Sequence, residues 1–116
     1  MLLQDPNLRV WLYTQPTDMR KQFDGLAALA KNKMAGSVSD GHLFVFINRK
    51  RTCMKALYYS QGGLCLWSKR LEQGRFHHVS ADDNRHHTSE LSWAQLQCLI
   101  DGIDWQKASK NVRFRR

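Results

Sequence analysis

The chain has 116 residues, 42% of them hydrophobic and 24% charged, which fits one globular domain and excludes a fibrous or wholly disordered protein. No apolar run approaches the length of about 18 residues that a membrane span needs. Eighteen Lys and Arg stand against ten Asp and Glu, a net charge of +8, which points to a polyanionic partner.

The elements follow in chain order. Leu8–Thr14 (LRVWLYT) alternates Leu8, Val10 and Leu12 with Arg9, Trp11 and Tyr13 and reads as a strand. Gln15-Pro16 breaks it, because proline has no N–H and biases its predecessor to extended geometry. A helix is predicted over 17–35. Thr17 or Asp18 supplies a cap, and Met19, Phe23, Leu26, Ala27, Ala30 and Met34 recur at three- and four-residue steps. Gly25 inside it costs about 1 kcal/mol relative to alanine, for which close packing on a sheet is one reason. After the Asp40-Gly41 turn signal, strands are predicted at His42–Ile47, Cys53–Ser60, Leu64–Leu71 and, briefly, Arg75–Val79. Their short connections imply an antiparallel meander, since parallel neighbours need long crossovers. Ser80–Thr88 (SADDNRHHT) is polar and reads as a loop. Ser92 and Gln95 fit a capping box with Leu91 and Leu96 as its hydrophobic staple. They open a helix over 92–102 with the buried stripe Leu96, Leu99, Ile100 and Ile103. The expectation is one α+β domain over residues 1–106, with a basic flexible tail over 107–116. Its sheet is mostly antiparallel, of four or five strands, with two helices packed on one face.

The excess charge is uneven. Residues 42–79 carry Arg49, Lys50, Arg51, Lys55, Lys69, Arg70 and Arg75 against the single acid Glu72, and residues 107–116 carry five bases and no acid. Much of this segment falls on strands and turns. One sheet face can be apolar, while the other presents cations beside rings such as Tyr58, Tyr59 and Trp67, a surface suited to gripping phosphates and stacking on bases. The plainer reading makes the rings core and the cations a solvated face. The loop Asn48–Thr52, with three consecutive bases, is either an ordinary hairpin tip or a finger that enters a groove.

Chemistry beyond binding finds little support. Cys53, Cys65 and Cys98 contain no CxxC and cannot all pair; Cys65 and Cys98 read as buried residues rather than nucleophiles. The pairs His77-His78 and His86-His87 offer at most one metal ligand per side on paired strands, so no metal site is assigned. Two-metal cleavage needs converging carboxylates, and the acids here sit mostly at caps and turns. There is no P-loop, GxSxG or dinucleotide fingerprint, so no cofactor is expected. The opening residues, MLLQDPNLRV, lack the basic start and apolar stretch of a secretory signal, which leaves the cytoplasm, with nucleoid association, as the expected location.

Six ordered blocks carry a family resemblance: Pro16–Lys21 (PTDMRK), Phe23–Leu26 (FDGL), Gly41–Phe46 (GHLFVF), Lys69–Glu72 (KRLE), Gly74–Phe76 (GRF) and Gly102–Trp105 (GIDW). Together they resemble the TnpB accessory protein of the bacterial insertion sequences numbered sixty-six, over Val10 to Trp105. Gln15 and Gln22 stand where that pattern has glycines. The resemblance implies a non-catalytic accessory product that acts with a separate, larger transposase, and it supplies no catalytic residues. Joined to the charge pattern, it yields the expectation of an accessory DNA-binding factor. That factor holds insertion-sequence ends through Arg49, Lys50, Arg51, Lys55, Lys69, Arg70 and Arg75. The alternative is an adaptor that docks on the transposase through Pro16–Lys21 and Lys69–Phe76 without touching DNA. An RNA-binding role stays open beside them, because a basic aromatic sheet serves single strands equally well.

Overall fold

The computed structural model describes residues 7–34, 36 and 41–103; the expected basic tail lies outside them. Five strands and two helices make an α+β fold: β1 (Arg9–Tyr13), α1 (Phe23–Lys33), β2 (His42–Ile47), β3 (Cys53–Ser60), β4 (Gly63–Arg70), β5 (Thr88–Leu91) and α2 (Trp93–Ile100). The sheet order is β4-β3-β2-β1-β5. β2, β3 and β4 form the expected antiparallel meander, and β5 runs antiparallel to β1. β1 and β2 are parallel, with Arg9 opposite His42. A parallel pair needs a crossover, and α1 lies in it.

The central strand dictates the layering. Leu43 to Ile47 are all buried, and successive side chains on a strand point to opposite faces. Leu43, Val45 and Ile47 pack with Met54, Ala56 and the α2 residues Leu96, Leu99 and Ile100. Phe44 and Phe46 pack with Leu57, the α1 residues Leu26 and Ala30, and Met34 just after α1. The two helices therefore cover opposite faces, which corrects the expectation of packing on one. A strand apolar on both sides needs a cover on both.

Local chemistry explains most of the boundaries. Between β3 and β4, Gln61 and Gly62 both take positive φ, 50° and 81°, the two-residue turn whose twist matches paired strands. Ser92 Oγ accepts the Gln95 N–H while the Gln95 side chain accepts the Ser92 N–H, so the expected capping box opens α2. Leu91 and Leu96 are both buried beside it. Ile103, expected in the same stripe, is exposed.

α1 starts at Phe23, six residues later than predicted from Thr17. Asp18 does not cap it. Its carboxylate accepts the Arg20 backbone N–H at 2.9 Å and the Arg20 guanidinium at 2.7 Å, closing a turn of its own. Gly25 is not pressed against the sheet either: a Cβ there would meet the Lys21 side chain at 3.2 Å.

The segment Arg75–Val79 is not a strand. Phe76 is fully buried, and its N–H donates to the Arg51 carbonyl at 2.7 Å, so the segment folds back as a plug at the end of the sheet. The fifth strand is Thr88–Leu91 instead. Its polar sequence TSEL hides it, but Thr88 and Ser89 are buried, and Ser89 Oγ donates to Asp82 at 2.9 Å. No helix among the described residues is long and apolar enough to cross a membrane.

Two measurements check this account. Phe76→Ala lowers unfolding free energy by about 3–5 kcal/mol in denaturant titration, the loss for a large buried ring; an exposed strand residue would lose far less. Asp18 titrates at about 2, held down first by the side-chain hydrogen bond from Arg20 and then by the Arg20 backbone N–H. A carboxyl depressed in the folded state adds stability above its unfolded pKa of about 4 and loses it as pH falls through the folded value. Carboxyl-carbon NMR finds the low midpoint, and Arg20→Ala returns it toward the ordinary range.

Candidate functional site

β2 ends, β3 begins and β4 ends at the same end of the sheet, where Ile47 faces Met54 and Cys53 faces Arg70. The basic loop between β2 and β3 is held there by one side chain. Asn48 Oδ1 accepts the N–H groups of Thr52 at 2.8 Å and Cys53 at 3.0 Å, and Asn48 Nδ2 donates to Thr52 Oγ1 at 3.2 Å. Arg51 sits in the left-handed region at φ 57°, and its carbonyl, bonded to Phe76, draws Arg75 alongside. Arg49, Lys50, Arg51, Arg70 and Arg75 thus gather at one end, all exposed except the half-buried Arg51. Arg70 Nε lies 3.6 Å from Glu72, but both side chains are about three-quarters exposed or more, at 74% and 80%. Such a pair contributes little and leaves the cation available.

Two of the seven expected cations are elsewhere. Lys55 is buried; its ammonium donates to the carbonyls of Met19 at 2.7 Å and Lys21 at 2.9 Å, tying the turn before α1 to the sheet. Lys69 donates to the Ile100 carbonyl at 2.9 Å, on the other face, at the end of α2. Both side chains serve orphan carbonyls next to helices. The expected rings are also apart from the cationic cluster. Tyr58 is buried toward α2 and Trp67 packs partly buried on the same side. Tyr59 is half-buried near the opposite end of the hairpin, paired with Leu64. Burial pushes the Tyr58 hydroxyl pKa up, with the neighbouring Cys65 adding to it.

Because β1 and β2 are parallel, they also finish together at the cationic end, the usual place for a ligand crevice beside parallel strands. Loops diverge there and leave two hollows, of about 420 Å³ and about 520 Å³. Arg51 and His78 line the first; Lys33, Arg85, His86 and His87 line the second; Arg49 lines both. The walls are anchored. Thr17 N–H donates to the Ile47 carbonyl at 2.9 Å, and Thr14 donates to the His87 carbonyl through its N–H and its hydroxyl. Asp83 organises the turn that carries Arg85. Its carboxylate accepts the backbone N–H groups of Arg85 and His86 and lies 2.8 Å from His86 Nδ1. These bonds, the His86 side chain first, lower its pKa.

Reasoning from sequence missed Lys33, Arg85 and the histidines as partners of Arg49. The doubled histidines are a signal, but of metal binding as readily as of a cationic wall. Among the described residues, no three His, Cys, Asp or Glu side chains are grouped to hold a metal ion. The three cysteines are free and half-buried.

Comparison with known proteins places this geometry in context. Residues 8–110 match the family described as "IS66 Orf2 like protein". Two proteins of Sinorhizobium fredii (strain NBRC 101917 / NGR234) are similar along most of their length. "Uncharacterized protein y4hO" is 38% identical over 113 residues, 97% of this chain and 96% of the relative. "Uncharacterized protein y4jC" is 29% identical over 103 residues, 89% and 86% respectively. No solved structure matches.

The division between tethered and free lysines is testable. Lys55→Met removes charge-assisted bonds and strands two carbonyls, so it lowers stability by about 2 kcal/mol in denaturant titration. Lys50→Ala, on an exposed loop, changes stability by less than about 0.5 kcal/mol.

Proposed function

Since this chain belongs to the IS66 Orf2-like family, whose role is accessory to transposition of an insertion sequence, we propose that it performs that role by binding DNA through the cationic end of its sheet. The observation that carries the reading is the convergence of Arg49, Lys50, Arg51 and Arg75, on loops already fixed by internal hydrogen bonds, with Arg70 at the end of β4. Cations on a prearranged surface meet phosphates without first losing loop entropy. Phosphate contacts of this kind set position on DNA and do not by themselves read sequence. The partner is the DNA of the element's ends, and the separate transposase does the cutting and joining.

A second reading has an observation of its own. β4 stands at the edge of the sheet, bonded to β3 on one side. An eight-residue edge is a template for strand addition by another protein. In that reading the chain is an adaptor, with the transposase docking along β4 and the adjoining Lys69–Phe76, and with Pro16–Lys21 as a second contact.

Salt and nuclease separate the two. Five phosphate contacts give a slope of log affinity on log salt of about −4 to −5, measured by anisotropy on labelled end DNA. Lys50→Ala and Arg75→Ala each flatten it by about one. Affinity that hardly changes with salt overturns the DNA reading. Capture of the transposase that persists in nuclease-treated extract supports the adaptor.

A further inference from the structure

The two hollows beside β1 and β2 share Tyr13, Gln15, Pro16 and Arg49, so they adjoin at the end of the sheet as two lobes on either side of that common wall, with Arg49 lining both. We propose that this cleft seats two consecutive nucleotides of an unpaired DNA strand, with the phosphate between them against Arg49. The proposal rests on the DNA-binding reading and adds to it the state of the DNA that is held.

Three features carry it. The first is size. Each lobe, at about 420 and about 520 Å³, falls in the lower half of the range of about 300–1,000 Å³ for small-molecule sites and has room for one nucleotide. A duplex keeps its bases stacked inside and can lay only its phosphates on the rim, whereas an unpaired strand can turn a base into each lobe.

The second is charge. Arg51 lies in one lobe, Lys33 and Arg85 in the other, and Arg49 in both, while no Asp or Glu is among the described residues lining either. Asp83, on the same turn as Arg85, spends its carboxylate on the His86 ring and on the backbone N–H groups of Arg85 and His86. The third is the nature of the walls. The Pro16 ring is common to both lobes, and an imidazole stands in each, His78 in one and His87 in the other. Aromatic rings such as these imidazoles, set beside cations, are the usual grip on single strands, because every base has a π-face to stack, and Pro16 adds an apolar surface between them.

The test compares a blunt duplex with the same duplex bearing a four-nucleotide single-stranded overhang, by fluorescence anisotropy on the whole chain at low and moderate salt. Binding to the overhang is about tenfold tighter, from added phosphate contacts and stacked bases. The double variant Lys33→Ala/Arg85→Ala removes that preference, lowering affinity for the overhang by about tenfold more than affinity for the blunt duplex. Both residues are exposed, and circular dichroism confirms that the variant is folded. Equal affinity of the native chain for blunt and overhanging DNA overturns the cleft proposal and leaves the DNA reading standing. Binding to neither overturns both. Displacement of the overhang by a micromolar free deoxynucleotide overturns the strand assignment in favour of a free-nucleotide site, and tighter binding of a matched RNA overhang overturns the choice of DNA.

Discussion

β2 is apolar on both sides of the sheet, and the rest of the architecture follows from covering it. Leu43, Val45 and Ile47 lie under α2, and Phe44 and Phe46 lie under α1. Water can reach neither face at the centre, whereas β4 at the edge has no fully buried residue. Among the described residues, the accessible parts of the sheet are its edge strands β4 and β5 and the loops at its two ends. The parallel pairing of β1 with β2 decides at which end of the sheet the hollows lie. Parallel strands bring their carboxyl ends together, and the loops that leave them must part.

The same covering sorts the basic residues. A lysine on a covered face has a long apolar stem that tolerates burial and an ammonium that must find acceptors. Lys55 and Lys69 find them in backbone carbonyls beside α1 and α2. The arginines and the lysine of the cationic end have no such constraint; four are exposed and Arg51 is half-buried. Membership in one basic segment is therefore no guide to common use. The tethered pair contributes to fold stability, and the five cations at the strand ends and turns shape the field at one end of the sheet.

Order in the loops matters as much as charge. Asn48 satisfies two N–H groups of the basic turn, Asp83 satisfies those of the opposite wall, and His87 anchors that wall to Thr14 through its carbonyl. Arg51 and His87 both occupy left-handed backbone, at φ 57° and 50°, a conformation of order 1 kcal/mol less favourable for residues with a Cβ. Surrounding hydrogen bonds hold them there. A site whose cations are already positioned loses little freedom when an anion arrives, which suits contacts made to a repeating phosphate backbone.

The sequence by itself determined the strands of the meander, the breaks between them and the capped start of α2, because alternation, Gly-bearing turns and the Ser92–Gln95 box are local signals. It also determined the family, the net charge and the basic turn at 48–52. Tertiary structure alone decided that the helices lie on opposite faces, since periodicity shows that a side is apolar but not what covers it. It alone revealed β5, whose Thr88 and Ser89 are polar yet buried beside β1, and the delayed start of α1, where Asp18 prefers Arg20 to the helix end. It alone chose among the cations, because whether a lysine meets water or a carbonyl depends on residues far away in the chain: Met19 and Lys21 for Lys55, Ile100 for Lys69. The cleft belongs to the same class. Lys33, Arg49, Arg85 and the histidines come from separate segments, and only long-range packing brings them to one end of the sheet.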